Sequence, residues 1–370
     1  MKKIVFLIFC VTLLLQACKE KEQPSVETPD DVSQQQTPVK EVQNESNETK
    51  MPSIHLERSK FHSVVGWLSD DEILFVLVDK GHWILKSYSI SKEEWKEIYR
   101  TNVPIIQGKI HPNKEMILLH TSNNSSSAEV QLLHKSGVVE QSLSFESAEL
   151  YMDWHPTNSN LIVFSTFYED WTYNAFVYEG STQELKAIDV ENPFVKWFDE
   201  ENLMVFDWSG SSLDGSSLKL YSTADHEIQD TKWEHIIDVQ NFGESMLYIQ
   251  VDEEKMEFKY HLEDKNSGEM FEWVSPAVSN YSEWVIPTIS ITSPNSFIAF
   301  QSKKAGNMDE TNEKSIIAGY TVKGEELFGD INERPIDCSP SGKVCLGGHE
   351  KEQWISLKPL KEAKWLNIIE

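Results

Sequence analysis

Arginine is nearly missing from this chain of 370 residues: only Arg58, Arg100 and Arg334 occur. Lysine does not make up the deficit, since 33 basic residues face 60 acidic ones and the formal charge is −27. Nucleic-acid binding needs basic side chains clustered on one face to neutralise phosphates. A polyanion, or an anionic membrane surface, would be repelled, so no nucleic-acid partner is expected. The charge reads first as solubility, and second as an acidic face for cations or a basic partner. Cysteine is also scarce, at four residues. The nucleotide-binding Walker loop, the dinucleotide fingerprint and the H-E-x-x-H zinc signature are absent. Ser209–Ser217 is rich in serine and glycine but does not fit G-x-S-x-G, and it reads as a flexible hairpin loop. No segment sustains a helical period over three turns, and no apolar run reaches the ~18 residues of a membrane span.

The longest apolar run, Ile4 to Leu15, is twelve residues. As a helix at ~1.5 Å per residue it would reach about 18 Å, against a hydrocarbon core of ~30 Å. Lys2 and Lys3 precede it, so residues 1–17 read as a cleaved signal peptide. Leu15-Gln16-Ala17-Cys18 then resembles the bacterial lipobox, with Gln16 standing where small residues are common. The resemblance implies a lipoprotein with diacylglycerol on the Cys18 thiol, palmitate-type acyl chains, and Cys18 as the new N-terminus. Two acyl chains anchor stably where one does not. The alternative is a plain secretory signal with Cys18 as a chance thiol.

Residues 18–53 read as a lipid-anchored linker. Beyond Cys18 they hold no aromatic residue and are dominated by Gln, Glu, Ser, Thr, Pro and Asn. Such a segment cannot bury enough apolar surface to offset its ordering entropy and is expected to be disordered. A flexible chain of this length reaches on the order of 30 Å.

From residue 54 to 370 the pattern changes to short β-branched and aromatic runs separated by Gly, Asn, Asp, Pro and Ser. One motif recurs: an apolar residue, a turn opening on a small, polar or His residue, then a short apolar run. The copies are Trp67-Leu68-Ser69 before Ile73–Val76, Ile110-His111-Pro112 before Met116–Leu119, and Trp154-His155-Pro156 before Leu161–Phe164. They continue as Trp197-Phe198-Asp199 before Leu203–Phe206, Phe242-Gly243 before Met246–Ile249, Ser293-Pro294 before Phe297–Phe300, and Cys338-Ser339-Pro340 before Val344–Leu346. Anchored on Ser69, His111, His155, Asp199, Gly243, Ser293 and Ser339, the spacings are 42, 44, 44, 44, 50 and 46. A period near 44 filled only with strands predicts an all-β fold, a β-propeller of six or seven blades, each a four-stranded sheet. In the first repeat the strands are expected at Val64–Leu68, Glu72–Val78, Trp83–Ile90 and Glu94–Tyr99. In the last they are expected at Lys343–Leu346, Gln353–Leu357 and Lys364–Ile369. The strand around Ile54–Phe61 is expected to complete the final sheet, protecting its open edge. His111 and His155 stand where other copies have Ser and read as turn-initiating residues. Trp67, Trp154 and Trp197 recur at one place and read as packing between blades.

The turns resemble the Ser-Pro-Asp-Gly turns of TolB-like propellers, Ser339-Pro340-Ser341-Gly342 being the nearest copy. The whole layout of lipobox, acidic tether and repeats to the C-terminus resembles the YqgU-like lipoproteins of Bacillus and its relatives. That family is described as six-bladed, whereas the motifs here number seven.

Cys10 leaves with the signal peptide. Cys338 and Cys345 flank one tight turn and would sit nearly opposite each other in a hairpin. An extracytoplasmic location permits a disulfide between them; two free buried thiols are the alternative, and the spacing is not that of a redox C-x-x-C pair. The stretch Asn307-Met308-Asp309-Glu310-Thr311-Asn312-Glu313 is rich in oxygen ligands but lacks the alternation and central Gly of an EF-hand loop, and it reads as solvated. Trp171 and Tyr173 follow Tyr168-Glu169-Asp170 in a hairpin loop, where an exposed aromatic can anchor a partner or cover a neighbouring loop.

No catalytic, cofactor-binding or metal-binding residue is assigned. The expectation is a binding or assembly module on the extracytoplasmic face of the cell membrane. It is attached through lipid at Cys18 and faces a protein or cell-wall partner. The alternative is a hydrolase acting on a glycan, lactone or peptide with residues converging from several blades.

Overall fold

The computed structural model describes residues 50–207, 211–308 and 314–370; Cys18 and the processing segment lie outside the described residues. Among the described residues there is no α-helix. Seven four-stranded antiparallel sheets follow one another along the chain. We call them blades 1 to 7, at residues 61–101, 105–146, 149–188, 196–230, 236–276, 289–331 and 336–364. In each, the strands are hydrogen-bonded in chain order. The first strands of neighbouring blades meet: Phe61–Trp67 touches both Ile105–Ile110 and Ile336–Cys338. The ring is therefore closed, with the first strand of each blade at its axis.

The recurring apolar run is the second strand of each blade, and its side chains alternate between two gaps because successive residues of a strand point to opposite faces. In blade 1, Ile73, Phe75 and Leu77 pack into the gap toward blade 7, and Leu74 and Val76 into the gap toward blade 2. In blade 3, Ile162 and Phe164 face blade 2 while Leu161 and Val163 face blade 4. A strand buried on both faces reads as a continuous apolar run rather than as an alternation. The core accordingly divides into seven clusters, one for each gap between blades. Trp67 and Trp197 are fully buried in two of these gaps. Trp154 is half-buried, its indole Nε1–H donating to the carbonyl of Ser159 at 2.9 Å.

Closure differs from the expected arrangement. Blade 7 is complete with its own four strands, the last being Leu360–Lys364. One more strand, Leu366–Ile369, then pairs in parallel with Ile54–Glu57 in a separate two-stranded sheet. The reason is chain length: after Lys364 there remains an apolar stretch, Trp365-Leu366, which buries itself in the gap between blades 7 and 1 with Ile54. Phe61–Trp67 is left to start blade 1. At the same seam Trp67 Nε1–H donates to the Asp337 carbonyl at 2.9 Å, and Lys351 Nζ bridges Asp337 Oδ2 at 2.7 Å and the Val65 carbonyl at 2.8 Å. Gly66 lies against this bridge at φ +151°, and a Cβ there would come 2.4 Å from Asp337 Oδ2. Only glycine leaves room for the carboxylate.

Candidate binding face and ring axis

Antiparallel order sorts the connections onto two ends of the ring. At one end lie the first-to-second and third-to-fourth turns, which include every copy of the recurring motif. At the other lie the second-to-third loops and the links between blades.

Most turns at the motif end use the same device. An acceptor at its first position takes backbone N–H groups two or three residues on, as in Asx and ST turns. Ser69 Oγ accepts from Asp71 and Glu72 at 3.2 and 3.1 Å. Asp199 Oδ1 accepts from Glu201 and Asn202 at 2.9 and 2.8 Å. His111 Nδ1 accepts from Asn113 at 3.1 Å, and His155 Nδ1 from Asn158 at 2.9 Å. In both cases an imidazole nitrogen replaces the serine oxygen, which requires a neutral ring. Burial lowers the pKa of both, that of His155 to about 4. His111 Nε2–H then donates to the His155 carbonyl at 2.9 Å, tying blade 2 to blade 3.

Along the axis, the first strand of each blade is an edge strand whose free backbone groups need partners. Side chains one repeat away supply them. Lys109 Nζ donates to the Met152 carbonyl at 2.8 Å and Tyr151 OH to the Val195 carbonyl at 3.0 Å. Asp153 Oδ2 accepts the Trp197 N–H at 2.9 Å. Lys196 Nζ bridges Asp238 Oδ1 at 2.7 Å and the Val239 carbonyl at 2.8 Å. Burial pushes Asp153 up and Lys109 down, opposed in each case by the other's charge. These charged groups latch blade to blade. The sequence reading missed them, although the signal was present: Lys109, Asp153 and Asp337 each stand two residues before the turn-opening residue. Among the described residues, no group of three or more His, Cys, Asp or Glu is placed to hold a metal ion.

The loop end is irregular. Ser212 Oγ donates to the Ser282 carbonyl at 2.5 Å, and Trp284 Nε1–H to the Leu213 carbonyl at 2.8 Å. The described part of the serine-rich loop is thus a strap from blade 4 to the link between blades 5 and 6, rather than a free hairpin loop. Leu213 packs on the core it covers, which is the physical reason. The acidic stretch is described only as far as Met308.

On blade 3 a row of aromatic rings runs outward across this end. Tyr151, on the axial strand, meets Phe194 edge-on at 5.3 Å. Phe194 stacks on Phe167 at 5.6 Å, and Phe167 meets Tyr173 at 6.2 Å. The link 189–195 is held against the blade by Tyr173 OH on the Val190 carbonyl, 2.8 Å, and Ser165 Oγ on the Pro193 carbonyl, 2.6 Å. Beyond the row, at the tip of the Phe167–Tyr173 hairpin, Trp171 is 85% exposed in the left-handed region at φ +67°. That conformation is uncommon for a bulky residue. Tyr173 bonds the Val190 carbonyl between Asp189 and Glu191 in sequence, and burial and the charges of those two acids raise its pKa. A cavity of about 360 Å³ opens between the link and blade 4, lined by Val190, Glu191, Asn192, Pro193, Val205, Phe206, Asp207, Lys219 and Ile228, with Lys219 Nζ paired to Asp207 at 2.9 Å.

Cys338 and Cys345 face each other directly across the first two strands of blade 7, with 1.92 Å between their sulfurs, buried toward blade 6.

Comparison with known proteins agrees with a propeller fold, although the matching family is described with six blades and seven four-stranded sheets stand here. The family model described as "YqgU-like 6-bladed beta propeller domain" matches residues 89–348, from the end of the third strand of blade 1 into blade 7. The chain is 22% identical over 361 residues to "Uncharacterized lipoprotein YqgU" of Bacillus subtilis (strain 168), covering 97% of this chain and 95% of that protein. It is similar in fold to the uncharacterized protein lmo1340 of Listeria monocytogenes EGD-e, with a TM-score of 0.77, 18% identity, and 86% and 98% of the two chains covered. The β-propeller domain of the Trilobed protease from Pyrococcus furiosus is more distant, with a TM-score of 0.53, 8% identity, and 84% and 100% covered.

Proposed function

This chain belongs to the YqgU-like six-bladed β-propeller family, and from that premise we propose that it is a lipid-anchored binding or assembly module on the outer face of the cell membrane. Its own ring has seven sheets among the described residues. In this reading Cys18 carries the lipid, residues 19–53 are the tether, and the propeller holds a rigid surface within reach of the membrane. The disulfide between Cys338 and Cys345 belongs to the same proposal, as a covalent staple suited to an oxidising location.

The observation that carries the binding reading is the contrast between axis and loop end. At the axis, charged side chains are spent on neighbouring backbone and on each other. At the loop end, Trp171 and Tyr281 are 85% and 77% exposed, and exposed aromatics of this kind are the anchors of binding surfaces. Fold by itself does not imply function, so the surface has to carry the argument. Lys50, the first described residue, pairs with Glu93 in a third-to-fourth turn at the motif end.

Two measurements test the proposal. Cys18→Ser should release the protein from the membrane fraction and change its mobility; unchanged mobility and retention would remove the anchor. Crosslinking in intact cells should return a reproducible protein or wall partner whose contacts map to the loop end. Hydrolysis of a glycan, lactone or peptide by the purified protein, lost on chelation, would replace the binding reading with an enzyme.

A further inference from the structure

The aromatic row on blade 3 lies in a strongly acidic part of the chain. Residues 136–195 contain ten Asp or Glu and one lysine, Lys186; Lys219 of blade 4 lines the cavity beside Glu191 and is paired with Asp207 at 2.9 Å. Of these acids, Glu169 and Asp170 flank Trp171 in its turn, and Asp189 and Glu191 sit on the link beside Tyr173. All four are exposed. Lys186 lies on the fourth strand of the blade, where its Nζ pairs with Glu184 at 3.0 Å. Thr172 holds Asp170 through its N–H and hydroxyl at 3.0 and 2.6 Å and keeps that carboxylate ionised by lowering its pKa.

We infer that this row docks a lysine- or arginine-bearing peptide segment of a partner protein. The inference rests on the binding-module reading above and names the class of ligand. The chemistry is twofold. A cation over an aromatic face is attracted by the ring quadrupole, most strongly by tryptophan. The exposed carboxylates add long-range attraction that steers a basic segment to the site. A neutral glycan would stack on the rings and donate hydroxyl hydrogen bonds to the carboxylates but gain nothing from their net charge, and a polyanion would be repelled. Trp171 is held in a left-handed conformation that glycine or asparagine would adopt more readily. The ring stands in solvent, so packing does not account for a bulky residue in this turn.

The test uses the full-length lipoprotein in neutral detergent at about 0.15 M salt, where exposed charges more than ~8 Å apart are screened. The probe is a short synthetic peptide of lysine, arginine and glycine. Its neutral counterpart replaces them with acetyl-lysine and citrulline. Isothermal titration should show the basic peptide binding at least tenfold more tightly than the neutral one. Trp171→Ala should weaken it three- to tenfold and Trp171→Phe should restore part of the loss. Glu169→Gln with Glu191→Gln should weaken it further, while Glu253→Gln with Glu254→Gln, exposed carboxylates on blade 5, should change it less than twofold. An unchanged melting temperature in Trp171→Ala assigns the loss to the site. Three results overturn the inference: equal affinity for the two peptides, displacement by a neutral oligosaccharide, or self-association of the chain that Trp171→Ala abolishes. If the peptide fails to bind while intact-cell crosslinks still map to the loop end, this inference falls and the binding-module reading stands. If hydrolase activity appears, the reading itself falls.

Discussion

Trp197 and Trp171 stand 26 positions apart in sequence and play opposite parts. Trp197 is fully buried between blades 3 and 4, on an axial strand, one repeat from Asp153. Trp171 stands in solvent at the loop end of blade 3 in a backbone conformation that does not suit it. The same contrast separates the two ends of the ring. The motif end repeats one turn device in most blades, with Ser, His, Asp and Asn as interchangeable acceptors. The loop end varies from the two-residue turn Lys80-Gly81 to the long link 277–288. Repetition serves closure, and departure from repetition is where this protein differs from a generic ring. Loops on a rigid scaffold are the usual place for such individuality.

The comparison predicts that mutational cost follows burial in a gap and not residue type. Trp197→Ala should cost about 3–5 kcal/mol of stability in denaturant unfolding, as for large aromatic truncations in a core. A cost below ~1 kcal/mol would mean that the gaps between blades are not the unit of stability. Next in size is the staple of blade 7. Closing a short loop between Cys338 and Cys345 should contribute on the order of 2 kcal/mol. Intact mass with alkylation and no reduction should show both thiols protected, in native and in denatured protein. Labelling of both thiols would show the pair to be free.

The histidine turns sharpen the contrast through pH. His155 has its pKa lowered by burial to about 4, against an ordinary value of 6.5. Between those values the unfolded chain takes up the proton and the folded chain does not. The stability that depends on a neutral His155 is therefore complete above about pH 6.5 and is lost as pH falls toward 4. Allowing for solvent screening, the loss by pH 5 should be on the order of 1 kcal/mol. Asp153, raised by burial, works in the opposite direction, so the informative quantity is a difference between variants. His155→Ser, which restores the oxygen used in other copies, should flatten the decline in unfolding free energy between pH 7 and pH 5. An unchanged slope would show that the imidazole is not the acceptor the turn depends on. The smallest effect is expected at Trp171. Trp171→Asn should leave stability unchanged or raise it by up to ~1 kcal/mol, since asparagine tolerates the left-handed region. A clear loss of melting temperature would mean that the ring covers a neighbour and is not held for a partner.

Much of the ring was legible in the sequence because its determinants are local. The four-residue apolar runs, the turn-opening Ser, Asp and His residues and the spacing near 44 all act within a few positions of one another. They decide strand, turn and repeat before any long-range contact forms. The turn role of His111 and His155 was readable from their place in the repeat. So was the burial of Trp67 and Trp197. What lay beyond local pattern was closure and the site. The extra strand Leu366–Ile369 takes Ile54–Glu57 as partner, a pairing across some three hundred residues that no short-range rule selects. The repeat pattern gave Lys109, Asp153 and Lys196 no role. Their partners are carbonyls and amides one blade away, and only the curvature of the ring brings them within reach. The aromatic row is of the same kind, joining Tyr151, Phe167 and Phe194 from an axial strand, a second strand and a link. Sequence determined the unit and its repetition through local geometry; the tertiary structure alone decided how many units close and which side chains meet at their seams and loops.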